Sequence, residues 1–174
     1  YLREATEAGP VEYPALVLDR GAYEAGGPQP VPTKHRLLVL ENKYLRLTIL
    51  PDMGGRIYEC TFKPTGNNEF YSNAVVKPTQ WGPPSPGGAN WWLSAGGLEW
   101  GFPVEEHGYE FGTQWGFDHA QRDNGGMMIT LFTRNGPQAP YAVVDIIVPP
   151  DTAYFVVQPR IVNPLGQPFR FKWW

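Results

Sequence analysis

One cysteine, Cys60, stands among the 174 residues, so no disulfide within the chain holds the fold together. A chain of this length buries enough surface to fold without one. Cys60 lies in Arg56-Ile-Tyr-Glu-Cys-Thr-Phe62, which reads as a strand. Such a position supplies none of the positive surroundings that activate a thiolate, so a buried, inert thiol is expected. Apolar runs are short as well. None approaches the roughly 20 residues of a membrane-spanning helix, and Tyr1 to Ala8 contains no apolar signal core. The first residue is not Met, which leaves open a leader removed upstream, and with it both a cytoplasmic and a secreted location. An excess of positive charge is missing too. The net charge is -3, and Lys and Arg form no patch or stripe. This argues against a nucleic-acid partner, whose affinity rests on basic side chains neutralising phosphates. No segment of ordinary helix length carries a 3.6-residue apolar pattern, and no internal repeat of fixed period is present. Phosphate loops, nucleotide fingerprints and nucleophile elbows are absent. His35, His107 and His119 are scattered without metal-ligand spacing, so neither a metal nor another cofactor is expected.

What the chain does have is an abundance of turn formers and large aromatics: 20 Gly, 19 Pro and 7 Trp. Gly and Pro at this level bring disorder into contention. The aromatic content opposes it, and the glycines and prolines fall between patterned apolar runs. Many short strands joined by tight turns is the resulting expectation. Strand signals fall at 15–19, 35–41, 44–50, 56–62, 109–119, 127–133, 141–148 and 152–162, with a further strand beginning at Phe169. In Tyr44 to Leu50, Leu45, Leu47 and Ile49 share one face while Tyr44, Arg46 and Thr48 share the other, the period of a half-buried strand. Turns are expected at Glu41-Asn42-Lys43, Pro51 to Gly55, Lys63 to Asn68, Pro149-Pro150-Asp151 and Asn163 to Pro168. The segment 21–32 reads as a loop. So does 77–97, whose prolines and glycines are interleaved with Trp81, Trp91 and Trp92; loops of that length are usually functional or mobile. The pattern divides into an N-terminal extension over 1–34 with one short strand and, from 35 onward, closely spaced strands that suggest an antiparallel meander with one face buried.

Two segments carry the residue types that binding or catalysis uses. The first, Ser94 to Gly108, brings together Glu99, Trp100 and His107. An aromatic face packs against the C–H side of a pyranose, carboxylates and imidazoles give directional hydrogen bonds to hydroxyls, and an acid/base pair near neutrality serves sugar ring opening. The alternative is that Trp100 is core and Glu99 a satisfied buried carboxylate. The second, Met53-Gly-Gly-Arg-Ile57, places paired glycines, which permit positive φ and close backbone approach, before Arg56, a planar donor fork for hydroxyls or a carboxylate. Its alternative is a turn with a surface salt bridge. Trp81, Trp91, Trp92 and Trp100 are the candidate stacking platforms.

Three segments, Leu40 to Ile57, Glu69 to Pro78 and Gly96 to Pro103 with His107, resemble in order and spacing an uncharacterised bacterial domain of the galactose-mutarotase-like superfamily, one often found ahead of tetratricopeptide repeats. The resemblance covers most of the chain from about Leu37. It implies an all-β supersandwich whose concave face binds a carbohydrate, here in its N-terminal portion, with the sandwich continuing beyond Trp174. Aldose 1-epimerases of that superfamily use a histidine as general acid and a glutamate as general base. By this analogy His107, with Gly108, matches the histidine-glycine pair of their sugar site and is the catalytic candidate, Arg56 lies by the cleft, and the glutamate falls beyond this chain. Arg56, Glu99, Trp100 and Trp81 are the expected sugar contacts. The implied roles are an isomerase-like enzyme, a non-catalytic carbohydrate-binding domain, or a structural or protein-interaction sandwich of a larger protein. An incomplete sandwich exposes strand edges, which implies self-association or a further C-terminal portion that completes it.

Overall fold

The computed structural model describes residues 2–7, 13–79, 91–103, 110–133 and 139–174. All sheet pairing is antiparallel. β1 (Leu2–Glu7) and β2 (Tyr13–Leu18) form a hairpin-like pair. β3 (Leu38–Glu41), β4 (Leu45–Leu50), β5 (Arg56–Phe62) and the two-residue β6 (Asn67–Asn68) form one sheet in chain order. β7 (Ser72–Pro78) pairs with β8 (Leu93–Gly96). β9 (Gly116–Gln121), β10 (Met127–Phe132), β11 (Tyr141–Val148) and β12 (Val156–Val162) form the second four-stranded sheet, again in chain order.

The two four-stranded sheets close on one core. Leu45, Leu47, Ile49, Ile57 and Cys60 from the first sheet join Ile129, Leu131, Ala142, Val144, Ile146 and Val148 from the second in a single cluster. Along β4, β10 and β11 these residues follow a period of two, while in β5 Ile57 and Cys60 are three apart. The protein is therefore an all-β sandwich. Asn42 clamps one end of it. Its carboxamide oxygen accepts from the Tyr44 and Leu45 amides, and its nitrogen donates to the Pro149 and Thr152 carbonyls at 2.7 and 2.8 Å. One side chain thus ties the β3–β4 turn to the β11–β12 turn.

Several expected boundaries shift. The N-terminal segment holds two strands rather than one, together with a helix, α1 (Arg20–Gly26), where a loop was expected. Asp19 caps the helix by accepting from the Ala22 amide, and Gly27 ends it in the left-handed region. It buries no residue, so it has no apolar stripe to betray it in the sequence. β7 and β8 occupy the two ends of the expected 77–97 loop and the stretch before it. The strand expected over 109–119 starts only at Gly116. Phe169 to Trp174 is not a strand. It lies alongside Gly101 to Pro103, with Lys172 donating to Pro103 O and Trp174 exchanging two bonds with Gly101.

Cys60 is 5% exposed and points into the core. Burial, assisted by the nearby Glu69 charge, pushes its thiol up from the ordinary range. The thiolate is the reactive form, so labelling with a thiol-disulfide reagent at pH 8 is expected to be negligible in the native protein and stoichiometric in denaturant. Rapid native labelling would mean that β5 opens locally.

Candidate functional site

Arg56 begins β5, directly after the turn Pro51 to Gly55. Gly54 and Gly55 adopt φ of 74° and 63°, the conformations that paired glycines allow. Gly96 and Gly97, at φ 80° and 79°, let a second segment settle beside β5: Leu98 exchanges both backbone hydrogen bonds with Ile57. A methyl group on Gly97 would sit 2.3 Å from the Ile57 carbonyl, so only glycine permits this approach. The result is that Glu99 lies against Arg56, with Nη2 to Oε2 at 2.9 Å.

The Arg56 guanidinium is 1% exposed. Nε donates to Met53 O, Nη1 to Gly96 O and Nη2 to Phe111 O, at 3.0, 3.0 and 3.1 Å. With the ion pair, four of its five N–H groups are engaged by the protein itself. Burial pushes the guanidinium down from its ordinary value, and the Glu99 carboxylate opposes that shift. Arg56 is thus a hub that fastens three chain segments. Trp100 is a core side chain, 5% exposed, donating to Gly55 O and stacked on Trp173 with centroids 6.1 Å apart. It presents no open face for a ligand. Trp91 is buried as well, edge-on to Phe111 and donating to Leu16 O. Of the expected site residues the structure brings together Arg56, Glu99 and Trp100. Trp81 and His107 lie outside the described residues.

A depression of about 810 Å³ lies on the outer face of β4 and β5. Its floor is Thr48, Leu50, Tyr58 and Glu59. That Tyr58 and Glu59 both face it needs explaining, because successive strand residues normally point to opposite sides. The register answers this: Thr48 pairs with Glu59 and Ile49 with Ile57, so Tyr58 is the extra residue of a β-bulge. Bulges re-aim side chains and recur beside functional sites. One wall is β7, through Ala74, Val75 and Val76. Tyr58 spans to it by donating its hydroxyl to Asn73 O. Burial, followed by the Glu59 charge, pushes the Tyr58 phenol up from its ordinary value.

The other wall is the extended segment before β3. Thr33, His35 and Leu37 line the cavity, whereas Lys34 and Arg36 do not, which is the alternation of an extended chain. Arg36 holds this strap from its far side: its amide donates to Asp52 at 3.1 Å, and its guanidinium stands over the Phe117 ring at 5.7 Å. Among the described residues, no hydrogen bond or ion pair engages the Glu59 carboxylate, the His35 imidazole or the Thr48 hydroxyl. Three polar groups without a protein partner among the described residues therefore line one largely apolar cavity, the usual constitution of a small-molecule site. Sequence reasoning placed Glu59 and Thr48 on strands, but nothing in the local pattern signals the bulge or the strap that makes a cavity over them.

Comparison with known proteins agrees with the fold. A family described as a domain of unknown function, DUF5107, matches residues 13–174. A crystal structure of a TPR-domain-containing protein from Parabacteroides distasonis is similar over 95% of this chain, with a TM-score of 0.70 and 19% sequence identity. The chain spans 28% of that protein's length.

Proposed function

Since the chain belongs to the DUF5107 family, whose function is undefined, the reading rests on the site itself, and we propose that this domain binds a carbohydrate in the cavity over β4 and β5. The observation that carries the proposal is that Glu59, His35 and Thr48, without partners among the described residues, line one cavity with the Tyr58 ring and aliphatic walls. A sugar presents the matching surface. Hydroxyls seek acceptors and donors at fixed angles, and the C–H faces between them pack on apolar groups. The resemblance to galactose-mutarotase-like domains supports the same ligand class. The Arg56–Glu99 hub supports the cavity, since it holds the turn containing Met53, itself a lining residue.

The test is a thermal-shift and calorimetric screen against neutral, amino and acidic saccharides. A ligand at a hundred times its Kd stabilises the fold by about 2.7 kcal/mol. Thr48→Val and His35→Ala are each expected to weaken a hit about fivefold, the loss of one hydrogen bond, with unchanged circular dichroism. Polarimetry on the same hit separates binding from anomer interconversion. Absence of any hit in a folded sample overturns the reading. A second reading, a structural or protein-interaction sandwich within a larger protein, has support in the similar TPR-domain-containing protein, of which this chain covers 28%. A hit that survives both substitutions would favour a site elsewhere.

A further inference from the structure

The cavity has a sign. Glu59 is its one carboxylate, and among the described residues no Lys or Arg lines it. The strap's own cations, Lys34 and Arg36, stand outside, and Arg36 is held at Asp52 and Phe117. Arg56, the nearest buried cation along β5, has four of its five donors engaged, three on carbonyls and one on Glu99. It is not available to receive an anion. The remaining ionisable groups in the lining are His35 and Tyr58, and the Tyr58 hydroxyl is committed to Asn73 O. Arg46 shares the outer face of β4 with Thr48 but, among the described residues, forms no ion pair with Glu59, and a carboxylate left unpaired in a largely apolar lining attracts a cation and repels an anion more strongly than it would in bulk water.

We propose that the site selects its saccharide by charge, preferring an ammonium-bearing sugar over the neutral parent and disfavouring a uronate, with Glu59 as the specificity-determining residue. This rests on the carbohydrate reading above and deepens it. The bulge at Tyr58 is what makes the selection structural. In a regular strand Tyr58 and Glu59 would point to opposite sides, but the register Thr48 to Glu59 and Ile49 to Ile57 turns both into the cavity. The ligand's ammonium then meets Glu59 while its ring lies by Tyr58 and Val75.

The experiment is calorimetric titration of the chain with glucosamine, methyl glucoside and glucuronate, and with the corresponding galacto series, at about 20 mM and 500 mM salt. Affinity is expected to fall from amino to neutral to acidic sugar, with about tenfold between the extremes, narrowing at high salt as the charge is screened. Glu59→Gln keeps the shape but removes the charge and exchanges one acceptor oxygen for a donor, so it is expected to bring the three affinities within about twofold of one another, with the neutral sugar itself weakened by up to about fivefold. An order that persists in Glu59→Gln, or a uronate that binds tightest, overturns charge selection and leaves sugar binding standing. Failure of all six sugars to bind a folded sample overturns both.

Discussion

Replacing Arg56 with methionine is expected to destabilise the protein by about 3–5 kcal/mol, because the change strips partners from groups that stay buried. The carbonyls of Met53, Gly96 and Phe111 each lose a donor, and Glu99 loses its counter-ion. Each buried acceptor left unmade costs about 1–3 kcal/mol, partly relieved where water can enter. Arg56→Lys is expected to recover only a fraction. A single ammonium is a point donor and cannot reach carbonyls spread around a planar fork. Glu99→Gln is expected to cost much less, since the Glu99 side chain is 28% exposed and water already screens it. Urea unfolding measures all three. A shifted midpoint with unchanged slope reports stability itself. Near-neutral behaviour of Arg56→Met would show that the three segments hold together without the hub.

The second large effect is expected at Gly54. Alanine there must adopt φ near 74° and places its methyl 2.2 Å from the Phe111 carbonyl oxygen, a contact between two backbones that no rotamer change relieves. Strain in the left-handed region and the overlap together are expected to cost about 3 kcal/mol or more. Gly66 provides the comparison. Its φ is 75°, but a methyl group there meets nothing within 4 Å. Gly66→Ala therefore isolates the conformational part, about 1 kcal/mol. Equal costs at the two positions would show that the approach of Phe111 to Gly54 yields easily.

These two predictions show unevenly how much the chain reveals. The glycines at 54 and 55 are legible in the sequence, since a pair of glycines ahead of a strand reads as positive φ and close approach. Arg56 is legible as an unusual residue in that place, but not in what it does. Its acceptors come from positions 53, 96 and 111, and the sequence gives no sign that these meet. Trp100 and Trp91 illustrate the same limit. A tryptophan in a glycine-rich segment suits a stacking platform as well as a core, and only the covering Trp173 and Phe111 rings decide between them.

Apolar alternation by itself marked the strands 45–50 and 56–62, and short apolar, β-branched runs bounded by turn formers marked 127–132 and 141–148. The strand position of Cys60 likewise marked a buried thiol, and turn formers between short apolar runs marked the all-β class. What only the tertiary structure decided are features assembled from distant positions: the short strands β7 and β8, the Asn42 clamp, the Arg56 hub, and the cavity under the strap. Their physical basis lies in pairings between segments far apart in the chain. A one-residue bulge, invisible in the period of its own strand, sets which way Glu59 faces.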